Sequence, residues 1–358
     1  DKRPLVVISP GAKFGASKCW PPERFAQLLD RLIESQDATV IVTCGPGEQG
    51  IAAAIGLGTP LIFATVGETI TERAGILNLG VQGMMLIGAV SGFWATFHTG
   101  SLLLGVIVAM IAGAALSAVH AFTSITLRVN QIVSGLALTL FGTGLASFLG
   151  RAGSNPLVGN PSRKVFEPLF SGAITEIAVV GPLLFGHDIL VYTAIAVAGG
   201  ASYYLFNTRM GLSLRAVGED PASAESAGVS VARVRYIHVM VGGSLAGLGG
   251  AYFSLVLVPT WQDDPIGAAG WIAIALVILS SWRPWRAVFA AYLFGAAERF
   301  QFTLQTLGEP WSAVPSTLLA MLPFVLAIAA MIVLTSGKRA RLLGAPAALG
   351  IPYFREQR

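Results

Sequence analysis

The sequence predicts an all-α polytopic membrane protein of about 8–9 transmembrane helices, preceded by a short β-α-β fragment. Three observations carry that prediction. Of 358 residues, 54% are hydrophobic and only 12% charged, about half the roughly 25% charge of an average soluble domain. The chain holds 42 glycines, which suit helices whose backbones approach closely inside a bilayer. From about residue 51 onward, apolar runs recur at lengths near the roughly 20 helical residues needed to cross a core of about 30 Å, whereas residues 1–49 read as soluble. The mean hydropathy is +0.69. The net charge of +4 fits arginine-biased loops on one side of a membrane rather than a nucleic-acid footprint.

The soluble part comes first. Its opening, DKRPLVVISPG, is too short and too polar for a signal peptide. Pro4 to Ser9 has the pattern of a short buried strand, Pro21-Pro22 opens a helix with Phe25, Leu28, Leu29, Leu32 and Ile33 on one face, and Thr39 to Thr43 is a second strand. One β-α-β unit of this size belongs to a parallel sheet and cannot bury enough surface alone. Cys19 and Cys44 show neither metal-ligand spacing nor a redox motif, which leaves a disulfide between them open.

Nine candidate spans follow, at 52–67, 80–97, 101–123, 132–150, 186–206, 234–258, 267–281, 286–306 and 315–335, the seventh the shortest. Arginines set the orientation. Loop 207–233, Arg128, Arg283, Arg286 and the tail with Lys338, Arg339, Arg341, Arg355 and Arg358 are expected in the cytoplasm; loop 151–185 and the residues before the first span are expected outside. The domain reading is 1–50 fragment, 51–340 transmembrane domain and 341–358 cytoplasmic tail.

Within loop 207–233, Asp220 suits a helix N-cap and Pro221 the first helical position. Ala222 to Ala227 favour a short helix, and Gly228 suits a left-handed C′ position. That gives about two turns, roughly 10 Å, with Leu212, Leu214, Val229 and Val231 available to pin it to the bundle. Asn78 and Gln82, in an apolar, glycine-rich stretch, and Gln131 and Ser134 at the start of the fourth span, are candidates for a substrate pathway or for helix packing. Glu298, Gln301 and Gln305 fall at helical spacing on one face and are candidates for the pathway lining or, the favoured reading, the outer interface. Gly242, Gly243, Gly247, Gly249 and Gly250 form a packing stripe. Trp282, Trp285, Arg283 and Arg286 read as an interfacial anchor. His98, His120, His187 and His238 have no metal-ligand spacing. The chain contains no Walker-type glycine–lysine loop, so any ATP is handled elsewhere.

Two segments carry a family resemblance: Glu72-Arg73-Ala74-Gly75-Ile76-Leu77-Asn78-Leu79-Gly80-Val81-Gln82-Gly83-Met84-Met85, and Arg209-Met210-Gly211-Leu212-Ser213-Leu214-Arg215-Ala216-Val217-Gly218-Glu219-Asp220-Pro221 running on to Ala227-Gly228. Together they resemble ABC importer permeases of the simple-sugar and nucleoside type, within the branched-chain amino-acid permease superfamily, over residues 54–340. Gln82 departs from the group, where a glutamate is usual. The resemblance implies a permease subunit of the bacterial inner membrane, not an enzyme, moving a nucleoside or simple sugar with its C-terminus in the cytoplasm. It implies a second permease chain (a paralogue in a heterodimer), a cytoplasmic ATPase that holds ATP and Mg, and an extracytoplasmic substrate-binding lipoprotein, with no cofactor on this chain and no nucleic acid. It also implies that Gly218, Glu219, Asp220, Pro221, Ala224, Glu225, Ala227 and Gly228 form the ATPase-coupling helix. Residues 1–49, through Ser9 to Lys18, Trp20-Pro21 and Arg24-Phe25, resemble the start of glycosyltransferase family 9, the heptosyltransferases. There Lys13, Gly15 and Lys18 would belong to a phosphate-type loop. Most of that fold is missing, so the expectation is a non-functional fragment. The other readings are a branched-chain amino-acid permease, a secondary transporter and a membrane-tethered glycosyltransferase.

Overall fold

The computed structural model describes residues 5–8, 39–42, 49–152, 156–162, 164–170, 175, 181–306, 314–335 and 344–354. Lys13, Gly15 and Lys18, and the helix expected after Pro21-Pro22, lie outside them. β1 (Leu5–Ile8) and β2 (Thr39–Val42) pair in parallel with Leu5 opposite Thr39.

The remainder is helical. Among the described residues, five helices are long and apolar enough to cross a membrane: α1 (Gln49–Arg73), α3 (Leu102–Ala121, continued by a π turn to Thr126), α4 (Gln131–Arg151), α5 (Ile189–Asn207) and α8 (Val231–Tyr252, continued by a π turn to Leu257). Between and after them lie α2 (Val81–Thr99), α6 (Arg209–Glu219), α7 (Pro221–Ser226), α9 (Ala269–Leu279), α10 (Pro284–Thr306), α11 (Ser316–Leu319) and α12 (Leu322–Thr335). α1 reaches six residues past the predicted end of the first span, because its last turns carry Glu68, Glu72 and Arg73 buried inside the bundle rather than in a loop.

α1 and α8 form the centre. They run antiparallel, Gly67 against Gly242 and Pro60 against Gly249, and α8 also packs on α2 and α3. The glycine stripe of α8 permits this: a Cβ on Gly113 of α3 would stand 2.9 Å from the Cα of Gly247, so a methyl group on either helix would force them apart. The core between them holds Phe63, Met84, Met85, Phe93, Leu248 and Tyr252.

Polar loops segregate to the two ends. At one end, Arg128 lies over the ring of Phe354, 4.8 Å from its centroid, Gly75 meets Gly218 and Ala348, and the α6–α7 segment and the turn between α9 and α10 gather beside them. At the other end, Arg151 pairs with Asp263, which also accepts from Ser147 at 3.3 Å; hydrogen bonds from Arg151 hold the Asp263 carboxyl below the usual carboxylate range. Segment 258–268 returns from that end into the bundle, where Trp261 is fully buried against Phe93 and Gly150.

Candidate functional site

The two segments singled out in the sequence meet at one end of the bundle. The first, residues 74–80, connects α1 to α2 and is non-helical backbone inside the protein. Buried backbone groups without a helical partner must be satisfied internally, and here side chains from four helices, with Asn78 of the loop itself, do so. The Leu77 N–H donates to Gln131 Oε1 at 2.7 Å, and the Leu77 carbonyl accepts from His120 Nε2 at 3.1 Å. A carbonyl can only accept, so the proton sits on Nε2, and Nδ1 faces the Ser134 hydroxyl at 3.0 Å. The Asn78 N–H and side-chain amide donate to the two oxygens of Glu68 at 3.1 and 3.2 Å, and Asn78 Oδ1 accepts from the Gly80 N–H. The Leu79 carbonyl accepts from Thr139, and the Ala74 carbonyl from Arg235 Nε at 3.1 Å. Arg73 donates through Nε and Nη2 to the Trp282 carbonyl at 3.2 Å each, while the Trp282 indole donates to Glu72. Trp282 is therefore an internal clamp rather than an interfacial anchor, whereas Trp285 is 46% exposed. Ser281 and Trp282 hold φ of 54° and 53° to turn the chain there, a conformation that costs a non-glycine residue free energy.

Asn78, Gln131 and Ser134 thus belong to one clasp around loop 74–80. Gln82 does different work: its Nε2 donates to the Gly267 carbonyl at 2.5 Å and its Oε1 accepts from the Gly270 N–H at 2.7 Å. This joins the first turns of α2 and α9. Thr65 of α1 bonds the Ala273 carbonyl of α9, eight residues or about 12 Å above Arg73, so α2 and α9 both begin well inside the bundle.

The second segment is two helices, not one. α6 begins at Thr208, whose hydroxyl caps the Gly211 N–H, and buries Gly211, Leu214, Val217 and Gly218 on one face. Gly218 must be glycine, because its Cα lies against the backbone of Arg73. α7 begins at Asp220, whose Oδ1 accepts from the N–H groups of Ala222 at 3.0 Å and Ser223 at 3.1 Å. Hydrogen bonds from the Ser223 hydroxyl and backbone hold the Asp220 carboxyl below the usual carboxylate range. Pro221 takes the first helical position, and Gly228 follows the helix with φ of 87°. Ala224 is buried with Val217 and Val231, and Val229, Val234 and Tyr353 pack on them. Leu214 is buried too, but Leu212 is 59% exposed and does not pin the helix.

Residues 344–354 strap this platform to the clasp. The Ala348 N–H donates to the Gly218 carbonyl at 2.9 Å, the Ala347 N–H to Glu219 Oε2 at 3.2 Å, the Tyr353 hydroxyl to Glu225, and the Gly350 N–H to the Gly75 carbonyl at 3.4 Å. Composition gave no hint of the strap. His120, Arg235 and the clasping role of Glu68 also escaped the sequence reading, since their partners lie far along the chain or in irregular backbone.

The fold and these two joined segments define a polytopic membrane permease with an exposed helical platform at one end. Residues 50–335 match the family described as branched-chain amino acid transport system / permease component, and the chain belongs to it. Residues 1–70 are similar to glycosyltransferase family 9 (heptosyltransferase). Among named relatives, a provisionally named glucose ABC transporter permease protein, TsgC13, of Haloferax volcanii is 40% identical over 71% of this chain and 77% of its own. The guanosine ABC transporter permease protein NupQ of Bacillus subtilis is 32% identical over 86% and 97%, and the nucleoside ABC transporter permease protein NupC of Lactococcus lactis subsp. cremoris 33% identical over 84% and 94%. The chain is an ABC transporter permease subunit, not an enzyme.

Proposed function

We propose that this permease imports a nucleoside or simple sugar across the bacterial inner membrane, with α7 as the element that docks on a cytoplasmic ATPase. The observation that carries the docking role is the capped, left-handed-terminated α7, where Glu219, Asp220, Ala227 and Gly228 are exposed and Pro221 and Glu225 half-buried, while Gly218 at the end of α6 and Ala224 fix the segment to the bundle. A rigid element of this kind passes on a rigid-body movement. ATP and Mg belong to the ATPase. A paralogous permease chain and a substrate-binding lipoprotein complete the assembly, and the relatives' names support the cargo class.

In this reading the nine helical passes run with α1 entering from outside and the strap in the cytoplasm. The grouping of Arg128, Arg215, Arg283 and residues 344–354 at one end supports that orientation. Gln82, at the meeting of two helix starts inside the bundle, is the residue assigned to the substrate pathway; Asn78, Gln131 and Ser134 hold the loop beside it. Exchange of both Glu219 and Glu225 for lysine tests the docking role: loss of ATPase co-purification and uptake supports it, and retention of both rejects it. Uptake by proteoliposomes without ATP would instead favour a secondary transporter.

A further inference from the structure

Three guanidinium groups converge on one aromatic ring at the platform end. Around Phe206, in the last turn of α5, the guanidinium carbon of Arg215 stands 5.3 Å from the ring centroid, that of Arg283 5.8 Å and that of Arg73 6.0 Å. They come from α6, from the turn between α9 and α10, and from the end of α1. Among the described residues none of the three forms an ion pair with a carboxylate. Of the carboxylates nearby, Glu219 attracts Arg73 while accepting from the Ala347 N–H, and Glu72 accepts from the Trp282 indole; Arg215 and Arg283 repel Arg73 and, among the described residues, have no carboxylate at ion-pair distance. Arg215 Nε is buried without a hydrogen-bond partner. One ring attracts each cation weakly and cannot offset the mutual repulsion of three like charges held around it; an anion among them would.

The surroundings indicate which anion. Met210 and Leu212 of α6 are 63% and 59% exposed, although the opposite face of the same helix is buried, and Trp285, two residues after Arg283, is 46% exposed. Apolar side chains flanking arginines on a helix that lies across the bundle end mark the headgroup level of a bilayer. Basic groups between membrane helices at that level bind anionic lipid headgroups, and the planar guanidinium fork suits phosphate.

We propose that Arg73, Arg215 and Arg283, gathered around Phe206, form a binding site for the phosphate of an anionic phospholipid. The site rests on the bundle's placement in the membrane and is independent of cargo and of the role of α7. Native mass spectrometry of the full chain in detergent tests it, with phosphatidylglycerol, phosphatidylcholine and inorganic phosphate as probes. Wild type should hold phosphatidylglycerol at roughly tenfold lower concentration than phosphatidylcholine. The double variant Arg215→Gln, Arg283→Gln should lose that preference, Arg215→Lys with Arg283→Lys should keep part of it, and Arg151→Gln at the far end should keep all of it. Should the double glutamine variant fail to fold, Arg215→Gln alone should weaken the preference. Arginine-dependent binding of inorganic phosphate in place of lipid would keep the site and change its occupant to the free anion. A preference that persists in the glutamine variants, or no anion preference in wild type, overturns the proposal. So does loss of ATPase co-purification with lipid retention unchanged, which would make the arginines a protein interface.

Discussion

The α1–α2 loop and the α6–α7 platform carry the two sequence motifs, yet they are built in opposite ways. In the loop, six backbone groups between Ala74 and Gly80 are each held by a side chain, and Asn78 is 1% exposed. On the platform most bonds are local, within a turn of Asp220 or Thr208, and Glu219 and Asp220 are exposed. The loop is stabilised by its neighbours and cannot move without them. The platform is stabilised by its own caps and presents polar groups to a partner. A coupling device needs both: an outward surface that keeps its shape, and an inward connection that does not yield.

Substitutions can break this contrast or sharpen it. Glu68→Ala should do the most damage, because it strands the Asn78 N–H and amide inside the bundle at about 1–3 kcal/mol for each unsatisfied group. Thermal unfolding in detergent should show a large drop in Tm together with loss of uptake; an unchanged Tm would show that the loop is not rigidly held. The double exchange Glu219→Lys, Glu225→Lys, which also removes two acceptors of the strap, should lower Tm by less than Glu68→Ala while ATPase co-purification is lost and uptake falls at least tenfold. An equal loss of stability would place the platform with the loop. Removing residues 345–358 should give an intermediate phenotype, with the ATPase still bound but uptake reduced several-fold at unchanged ATP hydrolysis. Gly228→Val should weaken uptake less, since forcing a side chain into φ of 87° costs about 1–2 kcal/mol locally. Tyr353→Phe, which removes one hydrogen bond to Glu225, should be the mildest, about 0.5–1.5 kcal/mol.

The same contrast explains how much the sequence showed. Asp220, Pro221 and Gly228 are legible because capping chemistry is local: the residue types that end a helix lie next to the helix they end. α6 falls within the expected loop 207–233, though Thr208 caps it and Gly211, Leu214, Val217 and Gly218 share one face, because a short amphipathic helix offers only a narrow apolar stripe beside long apolar spans. The apolar runs locate the five long apolar helices among the described residues, but the first expected span ends at Gly67, since nothing local says that Glu68 and Glu72 find donors in Asn78 and Trp282. Those partners lie 10 and 210 residues away. His120 has no role legible in the sequence for the same reason, its acceptor being a loop carbonyl 43 residues back.

The strap also sets an order of events during synthesis. Residues 344–354 emerge after α12, yet they close onto Gly75, Gly218, Glu219 and Glu225. While the ribosome is still making α9 to α12, the platform exists without its tie to the α1–α2 loop. Contacts so distant along the chain form late. A permease interrupted between residues 231 and 344 would carry a finished docking helix and lack the strap's hydrogen bonds, so only chains that have inserted the whole bundle complete the linkage between outward surface and interior.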